Sequence, residues 1–323
     1  MSDSSEWDGR TYYASPQLKP APFSYGLVGS YVFLAGLSGA AQLLATMLDL
    51  DCGRAAEATV RRGRFLSLLA PSLGTLCLIL DLHTPQRFYN MLRVVKTTSP
   101  MSLGSWALVG FSGASTVTAV MQFVSDHGWG LSWVRHLARV MQIPAALTGG
   151  FLATYTASLF SATSTPRWAS GGEGLAVKFA AASVASAAAA MQIGERSNRR
   201  ARDLNSIAIA ALAVELAATL HTDQAQRQAG IRVSPSTADR LGVTLPLSLF
   251  LVSQLLPGRA RRLSTVASVA ALAGSLAMRI GVMRQGVESA ARPAISMRFA
   301  QPDNLPDRHG VAARGSDRRV SNV

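Results

Sequence analysis

PFSYGLVGSYVFLAGLSGAAQLLATML, residues 22–48, contains no Asp, Glu, Lys or Arg. A helix over 23–48, rising 1.5 Å per residue, reaches across the roughly 30 Å of hydrocarbon in a bilayer. A soluble helix of that length would show a polar face, and this stretch has none. Lipid offers no water to backbone N–H and C=O groups, so a spanning segment must satisfy them internally as a helix. Gly36 and Ala40 lie one turn apart and are small enough to let a neighbouring helix come close.

Working outward, the same reading gives seven more apolar segments at about 65–80, 104–124, 138–160, 175–193, 204–220, 242–257 and 264–283. The fold class is therefore an all-α integral membrane protein, a bundle of approximately eight transmembrane helices over residues 23–290. Residues 1–22 form an N-terminal extension and 291–323 a basic, flexible C-terminal tail. Of the 323 residues, 49% are hydrophobic and only 15% charged, too little polar surface for a soluble chain of this size. The start of the chain carries Asp3, Glu6 and Asp8 rather than a basic leader, so the first span is expected to act as the insertion signal.

The net charge of +13 raises the question of nucleic acid. The arginines, however, sit in short connectors and in the tail, where they anchor helix ends and attract anionic membrane lipids; no nucleic-acid partner is expected. Only Cys52 and Cys77 are present, and they form no CxxC pair. The chain cannot itself supply the four thiolates usual for an iron–sulfur cluster, and the histidines form no evident mid-membrane pair for haem.

If every segment crosses, the N-terminus and the connectors 81–103, 161–174 and 221–241 share one face, here called the first side. The connectors of the opposite, second side hold more Lys and Arg, which favours that side as cytoplasmic, although the basic C-terminal segment pulls the other way. Several polar groups gather toward the first side. Glu215, within SIAIAALAVELAATL, is costly in lipid if ionised, so it either carries a proton or makes a structural hydrogen bond inside the bundle. His83 either exchanges a proton near neutral pH or caps the end of the second segment. Tyr155 offers a phenol suited to a carbonyl oxygen, or an interfacial anchor. Tyr25 opens the first segment on the same face. Arg87, expected against Asp81 or backbone carbonyls, joins Arg93 and Lys96 as a surface for a partner or for solvent. Asp49, His136 and Gln254 mark the other face and, with Glu215, raise the prospect of a proton route. Lys178 is expected to snorkel to the first side.

The connector DLHTPQRFYNMLRVVKTTSPMSLGSW, residues 81–106, and PAALTGGFLATYTASLFSATSTPRW, residues 144–168, resemble the NrfD/polysulfide reductase membrane-subunit family. Asp81, Pro85, Arg87, Phe88, Asn90, Met91 and Arg93 carry the likeness, and Ser99, Pro100, Met101, Ser102, Gly104, Ser105 and Trp106 continue it. His83 and Thr84 stand where the family often has Gly and Arg, and YTA replaces a YTG-like segment at Tyr155. The resemblance implies an eight-helix subunit that binds menaquinone or another quinone without haem or cluster of its own. It further implies a four-cluster ferredoxin-like iron–sulfur partner, a molybdopterin catalytic subunit and a place in the inner (cytoplasmic) membrane. Tyr155, His83 and Tyr25 would then line the quinone pocket, Glu215 would exchange a proton, and Arg87, Arg93 and Lys96 would dock the partner. Two other roles stay open: a noncatalytic anchor, or a proton-translocating subunit of a respiratory complex.

Overall fold

The computed structural model describes residues 18, 21–82, 84–93, 95–128, 132–231, 237–256, 258–292 and 295–296. His83 lies outside the described residues, as do almost all of the N-terminal extension and most of the C-terminal tail. Among the described residues there are eight long helices: α1 (Tyr25–Cys52), α2 (Glu57–Leu80), α3 (Pro100–Asp126), α4 (Ser132–Ser161), α6 (Gly172–Gln192), α7 (Asn198–Gln228), α8 (Thr237–Leu255) and α9 (Ala260–Ala290), with a single turn, α5 (Pro166–Ala169), after α4. Seven of the eight are long and apolar enough to cross a membrane; α8, with 19 residues, is the exception. The protein is an all-α, multi-pass membrane bundle.

The helices run further than their apolar stretches. α2 starts at Glu57 rather than near 65, and α7 continues to Gln228 rather than stopping near 220. Intrahelical hydrogen bonds do not end where hydrocarbon does, and polar first and last turns simply emerge into the headgroup layer. His221, just beyond the apolar segment 204–220, is therefore an exposed residue two turns inside α7. Pro71, Pro144 and Pro246 lie within helices, as transmembrane bundles tolerate when neighbours fill the break.

Packing divides the chain into two antiparallel rings of four. α1–α4 form the first bundle, each helix packing on its sequence neighbour, with α1 closing the ring against α4. α6–α9 repeat the scheme, α9 closing against α6, and the bundles meet through α1, α4, α6 and α9. Small residues set the close crossings. A Cβ at Gly39 would overlap the Gly149 carbonyl across α1 and α4, and one at Gly274 would overlap that of Gly242 across α9 and α8. Gly36 makes room between bundles for Ser183 and Arg279. Near the first side Val32, Ala157, Phe160, Trp168, Phe179 and Met283 fill the joint. Trp168 stands at its centre, 5.0 Å from the Phe160 ring, with its indole N–H donating to Val282 O at 2.8 Å.

Candidate functional site

The first-side end of the first bundle is built from α1, α3 and α4. Tyr155 lies six residues, about 9 Å, from the end of α4. Its ring rests against Gly104 in the second turn of α3, and a Cβ there would sit 2.6 Å from the phenol oxygen. Phe151, one turn earlier, stacks beside it at 5.2 Å. Tyr31 on α1 stands near Tyr155, and its ring packs over Gly74 of α2 at ordinary contact distance. This makes a half-buried phenol with an aromatic wall and a second phenol nearby. Such an arrangement can hydrogen-bond a carbonyl or hydroxyl oxygen without burying a charge.

Around this end run the turns of the 81–106 connector. The Ser24 N–H donates to Asp81 Oδ1 at 2.8 Å, tying the start of α1 to the end of α2. Asp81 is thus engaged by backbone, and no Arg87–Asp81 ion pair is present among the described residues. A 3-10 helix, Pro85–Leu92, presents Arg87, Phe88 and Tyr89 to the surroundings, and Arg93 and Lys96 beyond it are exposed too. Ser99 caps α3 by accepting from the Ser102 N–H. Tyr25, half exposed, marks the rim rather than the wall.

Glu215 belongs to the second bundle. It is 2% exposed on α7, which packs on α6 and α8, whereas Tyr155 sits on α4. Its charged neighbours are Lys178 on α6, Arg279 on α9 and Asp239 on α8. Lys178 stays buried and lines a cavity of about 20 Å³, room for a single water, with Thr222, Gln226 and Asp239. Arg279 is held by Ser275 Oγ, by Phe179 O at 3.2 Å and by Ser183 Oγ at 2.7 Å, with the Phe179 ring 5.3 Å away. The inward face of α7 is asymmetric about Glu215. Toward the first side it continues Ala218, Thr219, Thr222, Gln226; toward the second side Leu212, Ala211 and Ala208 separate it from Asn205 and Leu204.

The second side carries its own polar network, which the sequence reading did not assemble. Arg64, 5% exposed, donates to Gln142 Oε1 at 2.6 Å, to Gln122 Oε1 at 2.5 Å and to Asp49 Oδ2 at 3.3 Å. Gln142 in turn donates to Asp49 at 2.9 Å. His136 lines a cavity beside this group, while Gln254 is exposed at the end of α8. In the 193–197 loop Glu195 accepts from Thr59 at 2.6 Å, from Arg62 at 2.9 Å and from the Ser197 N–H at 2.9 Å. Burial alone would raise its pKa, but these donors together hold it below the ordinary glutamate value. Tyr31 and Arg279 were missed, although a lone arginine in LAGSLAMRIGVM was a signal of the same kind as Glu215, and Lys178, expected to snorkel to the first side, is buried.

Residues 15–222 match the family model described as polysulphide reductase, NrfD. No curated protein matches the chain.

Proposed function

This chain belongs to the polysulphide reductase NrfD family, and from that premise we propose that it exchanges electrons between membrane quinone and the iron–sulfur clusters of a partner. The family makes it a membrane subunit of a redox complex; the quinone, the ferredoxin-like partner, the molybdopterin subunit and the inner membrane are parts of our reading. The observation that carries it is Tyr155, seated against Gly104 with Phe151 and Tyr31 around it, beside an exposed basic connector.

In this reading the Tyr155 phenol donates to a quinone oxygen and Phe151 forms a face for the ring. Menaquinone or another quinone supplies two-electron, two-proton chemistry; the chain orients it and manages protons. Arg87, Arg93 and Lys96 dock the partner close to that end, Tyr25 marks its rim, and His83 of the same connector is a further quinone contact. Oxidation of a quinol releases two protons, and reduction of a quinone consumes two. Glu215 exchanges a proton with the first side along Thr219, Thr222 and Gln226, since its apolar second-side flank disfavours a route across the membrane. The change from YTG to YTA falls on Ala157, which is fully buried between the bundles and not on the Tyr155 wall. It therefore gives little weight to a lost pocket.

The test is quinol-driven reduction of partner clusters in the intact complex. Tyr155→Phe is expected to lower the rate by tenfold to a hundredfold, in the range of about 1.4 to 3 kcal/mol for a hydrogen bond made in the reaction. An Arg87→Ala/Arg93→Ala/Lys96→Ala variant should lose the partner on purification. Unchanged reduction in Tyr155→Phe would remove the quinone assignment, and a Glu215→Gln variant with normal turnover and proton release would remove the proton role. A complex that keeps its partners but retains no quinone would identify a structural anchor instead.

A further inference from the structure

Where the second-side ends of α1, α2, α3 and α4 meet, a cavity of about 360 Å³ is lined in part by Asp49, Glu57, Arg64, Arg135, His136 and Arg139. We propose that this cavity binds a phosphate ester, supplied by the headgroup of an anionic phospholipid. Its volume corresponds to about a dozen waters at roughly 30 Å³ each, enough for a phosphate and its glycerol linkage.

The charges favour an anion. Asp49 is already shared by Arg64 at 3.3 Å and Arg139 at 3.6 Å and accepts from Gln142 as well. Arg135 has no ion pair among the described residues, and the lining holds three arginines against two carboxylates, Asp49 and Glu57. Arg64 is buried, yet its Nε is one of four buried side-chain atoms without a hydrogen-bond partner among the described residues. Spare guanidinium donors around a cavity suit the several acceptor oxygens of a phosphate. Glu57 is the one lining carboxylate without an ion pair among the described residues, and it sets the limit on affinity.

The position favours lipid as the source. Trp133, Val140, Ile143 and Leu147 form one exposed stripe on α4 beside His136 and Arg139, and Trp133 is 55% exposed. An exposed tryptophan at the foot of an apolar stripe marks the headgroup level, where basic pockets between helices take anionic lipid. The second-side end of the other bundle is different. There Asn205 donates to Ser264, Ser264 to Ser253 and Ser268 to Gln192, so polar groups satisfy one another internally.

The experiment uses the full chain in phosphatidylcholine vesicles and follows uptake of labelled phosphatidylglycerol, with inorganic phosphate as competitor. Saturable uptake is expected. It should weaken about thirtyfold in Arg135→Gln/Arg139→Gln, the effect of losing two arginines near an anionic lipid. It should be unchanged in Arg259→Gln/Arg262→Gln, two exposed arginines on the same side, and tighter in Glu57→Gln. Competition by inorganic phosphate would make free phosphate a sufficient ligand; none would assign the site to lipid-borne phosphate. Equal retention of labelled phosphatidylcholine, or equal weakening in both arginine pairs, would overturn the proposal. None of these readouts depends on quinone turnover.

Discussion

Glu195 joins three parts of the second side, holding Thr59 and Arg62 of α2 and the Ser197 N–H at the start of α7. Its folded-state pKa lies below that of the unfolded chain. The stabilisation is therefore complete above the unfolded value and fades as pH falls through the folded one. Glu195→Gln should lower stability by about 2 kcal/mol at neutral pH, the scale of hydrogen bonds to a charged group. Thermal melts of the detergent-solubilised chain should show that gap closing in the acid range; a gap independent of pH would contradict the assignment. Arg64 is a harsher case. Arg64→Leu leaves Asp49 with Arg139 as its one counter-ion among the described residues and should cost about 3–5 kcal/mol, read in the same melts. Little of this was legible beforehand. Arg61, Arg62 and Arg64 stand together in the sequence, and nothing local says that Arg64 alone turns inward to Gln122 and Gln142, which lie on α3 and α4. Glu215 could be found because its neighbours are all apolar, and Arg279 is detectable by the same rule.

The helices themselves were legible because lipid permits few alternatives: an apolar run of sufficient length must be helical. Their ends were not, since Glu57–Arg64 and His221–Gln228 continue regular helices into the polar layer. Helix pairing depends on contacts the sequence only hints at. Gly36 was read as a close approach and is one, but the tightest crossings are Gly39 on Gly149 and Gly242 on Gly274. Gly39→Leu would force α1 and α4 apart; strain of about 1–3 kcal/mol is expected, seen as a lower melting temperature and reduced insertion yield. Gly104→Ala acts differently, because its methyl meets the movable ring of Tyr155 rather than backbone. It should leave the melting temperature nearly unchanged while lowering quinol-driven cluster reduction. A loss of folding with no selective loss of activity would show that Gly104 serves packing alone.

At the scale of the whole molecule, two four-helix rings share a joint formed by α1, α4, α6 and α9. The eight-segment count anticipated the eight long helices among the described residues. The division into two bundles was not foreseeable, since apolar periodicity does not say which helices close a ring. That division separates the Tyr155 end from Glu215, so the proposed quinone contact and the proposed proton carrier fall in different halves of the protein. The aromatic joint around Phe160, Trp168 and Phe179 lies between them, and Arg279, a neighbour of Glu215, also reaches the Phe33 ring of α1. The direct measurement is photo-crosslinking of the intact complex with an azido-quinone, followed by mapping of the labelled peptide. The label should fall on α4 between Phe151 and Ser161 or on the first turns of α3, and be lost in the presence of excess quinol. Label on the helices α6–α9, or near Arg64 at the other membrane face, would contradict the account.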